Sequence, residues 1–345
     1  MKAAVLYGKE DIRVMEVDIP KIGRDEVLIK VDMCGICGSD IRTYFMGAKK
    51  RYKFPLIMGH EIIGRVEKIG ADVTGYEVGE RVSPIPIISC GKCSFCMNGE
   101  EHLCANLAEF GINYDGGLQE YLVIPADVVK IGGLVKVSSD ISDIQAAMAE
   151  PIGCCIHGMS NAGVGVGSHV VIVGEGPMGI IHVKVARLMG ASKIIVTGMV
   201  TERLEMAKTA GADVVIDIRE QDALGEVMKL TGGLGADAVI VAAPNEQAAQ
   251  GALKMVKQKG TVVLFAGNNP GSKLSFEIND VHYSEINITG SINSTNSEFV
   301  SALELSPKMD IEPLVTGVVG IDDIGEAFAN SRNAGTIKVL VDMRL

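Results

Sequence analysis

Long apolar runs and positive charge are both scarce in this chain. No uninterrupted apolar stretch comes near the ~20 residues of a membrane-spanning helix. The N-terminal MKAAVLYGKEDI holds too short an apolar run for a signal peptide, so a cytoplasmic location is expected. Lys and Arg number 32 against 43 Asp and Glu, a formal net charge of -11. A phosphate-binding surface needs the reverse balance, which argues against nucleic acid and anionic membrane as partners and leaves small-molecule substrates. Size is sufficient: 345 residues, 47% of them apolar, can fill the cores of two domains. In a reducing compartment, eight cysteines point to metal binding where they cluster.

What is present centres on GHEIIGRVEKIG, Gly59 to Gly70, which sets His60 beside Glu61 among glycines. Cys37 in GICGSD and Glu150 in AEPIG add a thiolate and a second carboxylate. These are the borderline-soft N, S and O donors that suit a catalytic zinc with one position left open. A second set, Cys90, Cys93, Cys96 and Cys104, lies in a lobe at residues 88–106. Cysteines at intervals of three with a fourth nearby fold round one tetrahedral ion, and four thiolates leave no open position, so this zinc is structural. Two zinc ions per subunit are expected. Cys34 ends the strand-like run Val27 to Met33, and Cys154 and Cys155 follow Pro151 in a helical run, so all three are read as packing. His102, His157, His169, His182 and His282 show no partner pattern.

Up to about Ile131 the chain alternates short β-branched runs with turn residues, as in Glu26 to Val31, Ile62 to Ile69, Arg81 to Ile85 and Gly117 to Ile124, which predicts a mostly β domain. From Ser168 the rhythm becomes strand and helix in turn. The apolar run His169 to Val173 leads into GEGPMG, with Gly174, Gly176, Pro177, Met178 and Gly179, and then into helical spacing from Ile180 to Leu188. A glycine loop that follows a strand, opens a helix and is succeeded by further βα units has the context of a dinucleotide fingerprint. The later units predict strands at Lys193 to Thr197, Val214 to Asp217, Ala238 to Ala242 and Thr261 to Phe265, hence a doubly wound parallel sheet. Thr336 to Val341 reads as a strand able to rejoin the first lobe.

Together, GICGSD, GHEIIGRVEKIG, the four-cysteine lobe, AEPIG and GEGPMG resemble, at these distances along the chain, the zinc-dependent medium-chain dehydrogenases that act on alcohols, polyols and threonine. The resemblance implies an α/β protein: a GroES-like, mostly β catalytic domain from residues 1–150 with a return at 291–345, and a Rossmann domain at 151–290. It implies an active site in the cleft, with catalytic zinc on Cys37, His60 and either Glu61 or Glu150, and Ser39 on the proton path. Such a zinc acidifies an alcohol, so that hydride passes to a nicotinamide cofactor, or polarises a ketone in reverse. The expected activity is that of a secondary-alcohol or sorbitol-like polyol dehydrogenase, with threonine or vicinal-diol (butanediol) oxidation as the alternative. A homo-oligomer, dimer or tetramer, belongs to the same expectation. A non-catalytic dinucleotide sensor has no physical need of an open zinc site.

Three further absences bear on specificity. Where many family members carry a histidine five residues past the zinc cysteine, this chain has Arg42, which stays protonated and cannot relay a proton. An anionic cofactor or substrate group, or else an exposed salt bridge, is the expected partner of that charge. Asn293 and Ser294 stand where polyol dehydrogenases resemble one another in an Arg-Tyr pair. Lastly, the second strand of the nucleotide domain runs into Gly198, Met199 and Val200 with no Asp or Glu to take the adenosine ribose. Gly198 leaves room for a phosphate, and Arg203 and Arg219 are placed to meet it. The cofactor is therefore expected to be NAD(P)H, with NADP(H) favoured.

Overall fold

The computed structural model describes residues 1–47 and 54–345. It resolves two compact units: Met1–Glu150 with Ser294–Leu345, and Pro151–Asn293.

In the first unit, apolar side chains of Val27–Gly35 are buried on both faces of the strand, which places this segment at the centre of a seven-stranded sheet. On one side it pairs antiparallel with Glu61–Ile69, and on the other with Lys338–Asp342 from the end of the chain. The second pairing is the expected return of the C-terminal strand. Beyond these lie Arg81–Pro84 and Leu134–Lys136 at one end, Val315–Gly320 at the other, and Tyr121–Ile124 against Val27–Lys30. Lys2–Gly8, Asp11–Glu16 and Leu56–Ile57 form a smaller sheet. Leu6, Ile29, Ile62, Phe110 and Phe328 join one core beneath them. The register sets Gly35 opposite Glu61, and Leu340 opposite Gly35 on the other side.

The second unit is a six-stranded parallel sheet. In chain order its strands are His169–Val173, Lys193–Gly198, Val214–Asp217, Ala236–Val241, Val256–Leu264 and Asn287–Gly290, and across the sheet they lie third, second, first, fourth, fifth, sixth. This is the doubly wound order of a dinucleotide-binding sheet. Val, Ile and Ala dominate the central strands, which are covered on both faces and bury nearly all of their side chains. The helix that follows the first strand starts at Pro177, earlier than the expected Ile180, because proline is well placed at the first helical position. The sixth strand was not visible in the sequence: the four residues of Asn287–Gly290 alternate neither clearly nor at length.

Candidate active site

Cys37 caps the nine-residue helix Gly38–Met46. Asp40, in the first turn of that helix, accepts the Cys37 backbone N–H at 3.0 Å, which satisfies a donor that the helix start would otherwise orphan. The same carboxylate lies 3.8 Å from His60 Nδ1 and is itself buried. Asp40 thus anchors the Cys37 backbone and places its charge beside His60, and the sequence marks it as the acidic residue three positions past a cap. Ser39 is the second residue of this helix and is half-buried. Arg42, one turn further on, is exposed.

His60 and Glu61 sit where the chain turns into the strand Glu61–Ile69. Gly59 makes that turn with a φ of 93°, and a Cβ there would come within 2.6 Å of Cys34 Sγ. Cys34 is accordingly a buried packing residue whose thiol is pushed up by burial. Glu61 passes over Gly35, where a Cβ would lie 1.9 Å from its Oε2, and meets the Lys338 ammonium with both carboxylate oxygens. Lys338 also donates to Ile36 O at 3.1 Å. Burial lowers its tendency to hold a proton, but Glu61, Cys37 and Glu150 raise it further, so the ammonium persists. The signal for Lys338 was a lone charge inside the apolar run IKVLV.

One donor atom from each of Cys37, His60 and Glu61 lies within 4.8 Å of the others. Glu150, 8% exposed in the first turn of Ala149–Asn161, stands outside this trio while its charge still acts on His60. Burial pushes the His60 imidazole down, yet Asp40, Cys37 and Glu150 together carry it well above its usual 6.5. Anionic groups converging on one imidazole form a place that favours positive charge, and the S, N and O donor set fits zinc.

The four-cysteine lobe provides a sharper test of fit. Sulfurs at 2.3 Å from a tetrahedral zinc are separated by about 3.8 Å. Here Cys93 to Cys96 is 3.5 Å, Cys93 to Cys104 is 3.9 Å and Cys90 to Cys96 is 4.0 Å, with all four cysteines free of disulfides. Backbone amides point at the sulfurs: Cys90 N and Asn106 N reach Cys104 Sγ at 3.3 and 3.4 Å. Amide donors from Cys96 and Ala105 hold the Cys93 thiol down at about 6. Burial and the neighbouring thiols push Cys96 the other way, up to about 11.

In the second unit, Gly176 caps the helix Pro177–Leu188 and leaves open space where its side chain would be, as a backbone approached by a pyrophosphate requires. Gly179 packs so closely on the strand end that a Cβ would lie 1.9 Å from Gly174 O. Met178 turns its carbonyl to His182 Nδ1 at 2.7 Å. Two expectations need correction. Gly198 does not leave room for a phosphate, because the Glu175 carboxylate from the glycine loop fills that space: a Cβ on Gly198 would lie 2.4 Å from it. Arg219 is engaged by Asp217 and donates to Thr201 Oγ1 at 2.9 Å. Arg203 lies half-buried on the helix Thr201–Thr209. The carboxylate at the end of Lys193–Gly198 comes from the glycine loop rather than from the residues that follow the strand.

Two family descriptions match this chain: the alcohol dehydrogenase GroES-like domain over residues 23–133 and the zinc-binding dehydrogenase over residues 177–307. An L-threonine 3-dehydrogenase of Pyrococcus abyssi is 38% identical over 347 residues, covering 99% of this chain and 97% of that one. A sorbitol dehydrogenase of Bacillus subtilis is 33% identical over 95% of this chain and 92% of its own length. A zinc-binding dehydrogenase of Sinorhizobium meliloti, solved with NADP, superimposes with a TM-score of 0.91 at 31% identity, covering 99% and 98% of the two chains. With its GroES-like and Rossmann folds, this chain belongs to the zinc-dependent medium-chain dehydrogenases, an oxidoreductase family.

Proposed function

We propose that the protein transfers a hydride between a secondary alcohol or polyol and a nicotinamide cofactor. Cys37, His60 and Glu61 or Glu150 would hold a catalytic zinc, and Cys90, Cys93, Cys96 and Cys104 a structural one. The observation that carries this reading is the convergence of Cys37, His60 and Glu61 donors within 4.8 Å. Zinc there would supply Lewis acidity, lowering the pKa of an alcohol toward neutrality. The chain's own residues do the rest. Asp40 anchors the Cys37 backbone and sets its charge beside His60, Lys338 positions Glu61, and Ser39, two residues past the thiolate, would accept a proton from substrate. The glycine loop binds the cofactor's pyrophosphate at the N-terminus of Pro177–Leu188.

A threonine or vicinal-diol substrate is the second reading within this class. It is favoured by the 38% identity to a threonine dehydrogenase against 33% to a sorbitol dehydrogenase. At the position of the polyol enzymes' Arg-Tyr pair, Asn293 takes a left-handed φ of 54° and Ser294 is buried, so neither repeats that pair's chemistry. The test is a panel of polyols, vicinal diols, L-threonine and simple secondary alcohols, read by absorbance of the reduced nicotinamide. Turnover of a polyol above all others supports the leading reading, and turnover of L-threonine or a diol the second. No turnover of any secondary alcohol rejects both.

A further inference from the structure

The strand Lys193–Gly198 ends without a carboxylate of its own, yet one stands over that end. Glu175, the second residue of GEGPMG, reaches across from the glycine loop, and its Oε1 accepts the backbone N–H groups of both Met199 and Val200 at 3.0 Å. The contact is possible only because Gly198 lacks a side chain: a Cβ there would lie 2.4 Å from both the carboxyl carbon and Oε2 of Glu175. Gly198 and Glu175 are therefore a matched pair.

We propose that Glu175 reads the adenosine ribose of the cofactor, accepting a ribose hydroxyl at Oε2 and excluding a 2′-phosphate, so that this chain selects NAD(H) over NADP(H). The inference rests on the dehydrogenase reading above and adds the residue that chooses between the two cofactors.

Three observations converge on it. The first is position: in a doubly wound sheet the end of the second strand is where an acidic residue meets the ribose, and the Glu175 carboxylate occupies that place from another loop. The second is occupancy. Backbone N–H groups ahead of a helix are natural donors to a phosphate, but those of Met199 and Val200, just before Thr201–Thr209, are already used by Glu175 Oε1. A 2′-phosphate would have to displace a carboxylate and would meet its like charge. The third is the state of the nearby cation. Arg219 makes a bidentate pair with Asp217, which it holds down at about 2, and its Nη2 also donates to Thr201 Oγ1. Glu202 and Glu220 add further negative charge around it. The Arg219 charge is thus already balanced and is not free to offset a phosphate.

The experiment is calorimetric titration of the zinc-loaded protein with NADH and with NADPH, in the unmodified chain and in Glu175→Gln and Glu175→Ala. The unmodified chain should bind NADH at least about tenfold more tightly than NADPH. Glu175→Gln, which keeps an acceptor for both amides and removes only the charge, should narrow that ratio. Glu175→Ala frees the amides and empties the space over Gly198, and should shrink the ratio by at least about tenfold, mainly through tighter NADPH. A cofactor-free melting curve accompanies each variant. If Glu175→Ala melts early, the Gln variant still reads the charge. A preference for NADPH in the unmodified chain overturns the inference, as does a ratio that neither variant moves. Both of those outcomes leave the dehydrogenase reading standing. Binding of neither nucleotide overturns that reading and this inference together.

Discussion

Glu61 and Lys338 form a buried ion pair although 277 residues separate them, with the carboxylate and the ammonium meeting across the strand Val27–Gly35. Both side chains are almost fully enclosed, at 0% and 6% exposure. A pair this deep stabilises little relative to two apolar residues, but removing one partner strands the other charge. The pair also holds the Glu61 side chain in place at the edge of the Cys37 and His60 cluster.

Lys338→Met is therefore expected to destabilise the protein by about 3–5 kcal/mol, and adding Glu61→Gln to restore a large part of it. Lys338 is raised above its ordinary 10.5, so its contribution is complete below that pH and is lost only as pH climbs through the raised value. The loss should thus be the same at about pH 6 and pH 9. Urea unfolding of the two singles and the double measures it. A Lys338→Met midpoint equal to that of the unmodified chain would reject the role given to the pair.

If the two donor sets each hold the proposed zinc ion, the two ions should differ in the consequences of their removal. Cys37→Ser should leave one zinc by elemental analysis, an unaltered circular dichroism spectrum and turnover reduced by at least about a thousandfold. Cys93→Ser should release the other zinc and lower the melting temperature, because Cys93 lies within 3.9 Å of both Cys96 and Cys104 and its loss breaks the ligand set. One zinc in the unmodified protein, or full activity in Cys37→Ser, contradicts this assignment.

His182 gives a pH dependence of its own. It is fully buried in Pro177–Leu188, with Cys155 Sγ 3.3 Å from Nδ1 and the Phe265 ring edge-on with centroids 4.4 Å apart. Burial pushes its pKa from 6.5 to about 4, while the Met178 carbonyl opposes this weakly. Below pH 6.5 the unfolded chain takes up a proton that the folded one refuses, so stability falls between pH 6.5 and 4 and is complete above. The loss across that window is roughly 3 kcal/mol. In His182→Leu the acid limb of stability against pH should be shallower by this amount. Parallel curves for the two proteins would show that His182 does not titrate this way.

Gly179→Ala tests the cofactor loop without touching cofactor choice. Its new methyl would lie 1.9 Å from Gly174 O, so the helix Pro177–Leu188 must move off the strand that feeds it. Overpacking of this kind costs about 1–3 kcal/mol. NADH and NADPH binding should weaken together, with the ratio between them and the zinc content unchanged. A variant that binds both as tightly as the unmodified chain would mean the loop tolerates the shift.

What the sequence determined by itself was everything carried by local spacing. The cysteine intervals in Cys90 to Cys104, the His60-Glu61 step after a glycine and the strand, glycine loop and helix of His169 to Leu188 are each built within a few residues, where backbone geometry decides which side chains come together. The alternation after Ser168 likewise fixed a parallel sheet, because connected βα units have few other ways to pack. The tertiary structure alone decided the contacts between distant segments. Nothing along the chain ties Lys338 to Glu61, and only the pairing of Val27–Gly35 with strands on both sides makes them neighbours, with Gly35 keeping the space between them clear. Asp40 became a partner of His60 through the turn at Gly59. The carboxylate missing from the end of Lys193–Gly198 was supplied from the glycine loop at Glu175, over a glycine that had looked like empty space. Electrostatics depends on distance in space rather than in sequence, so the charges that complete the two sites became legible only once the strands were in register.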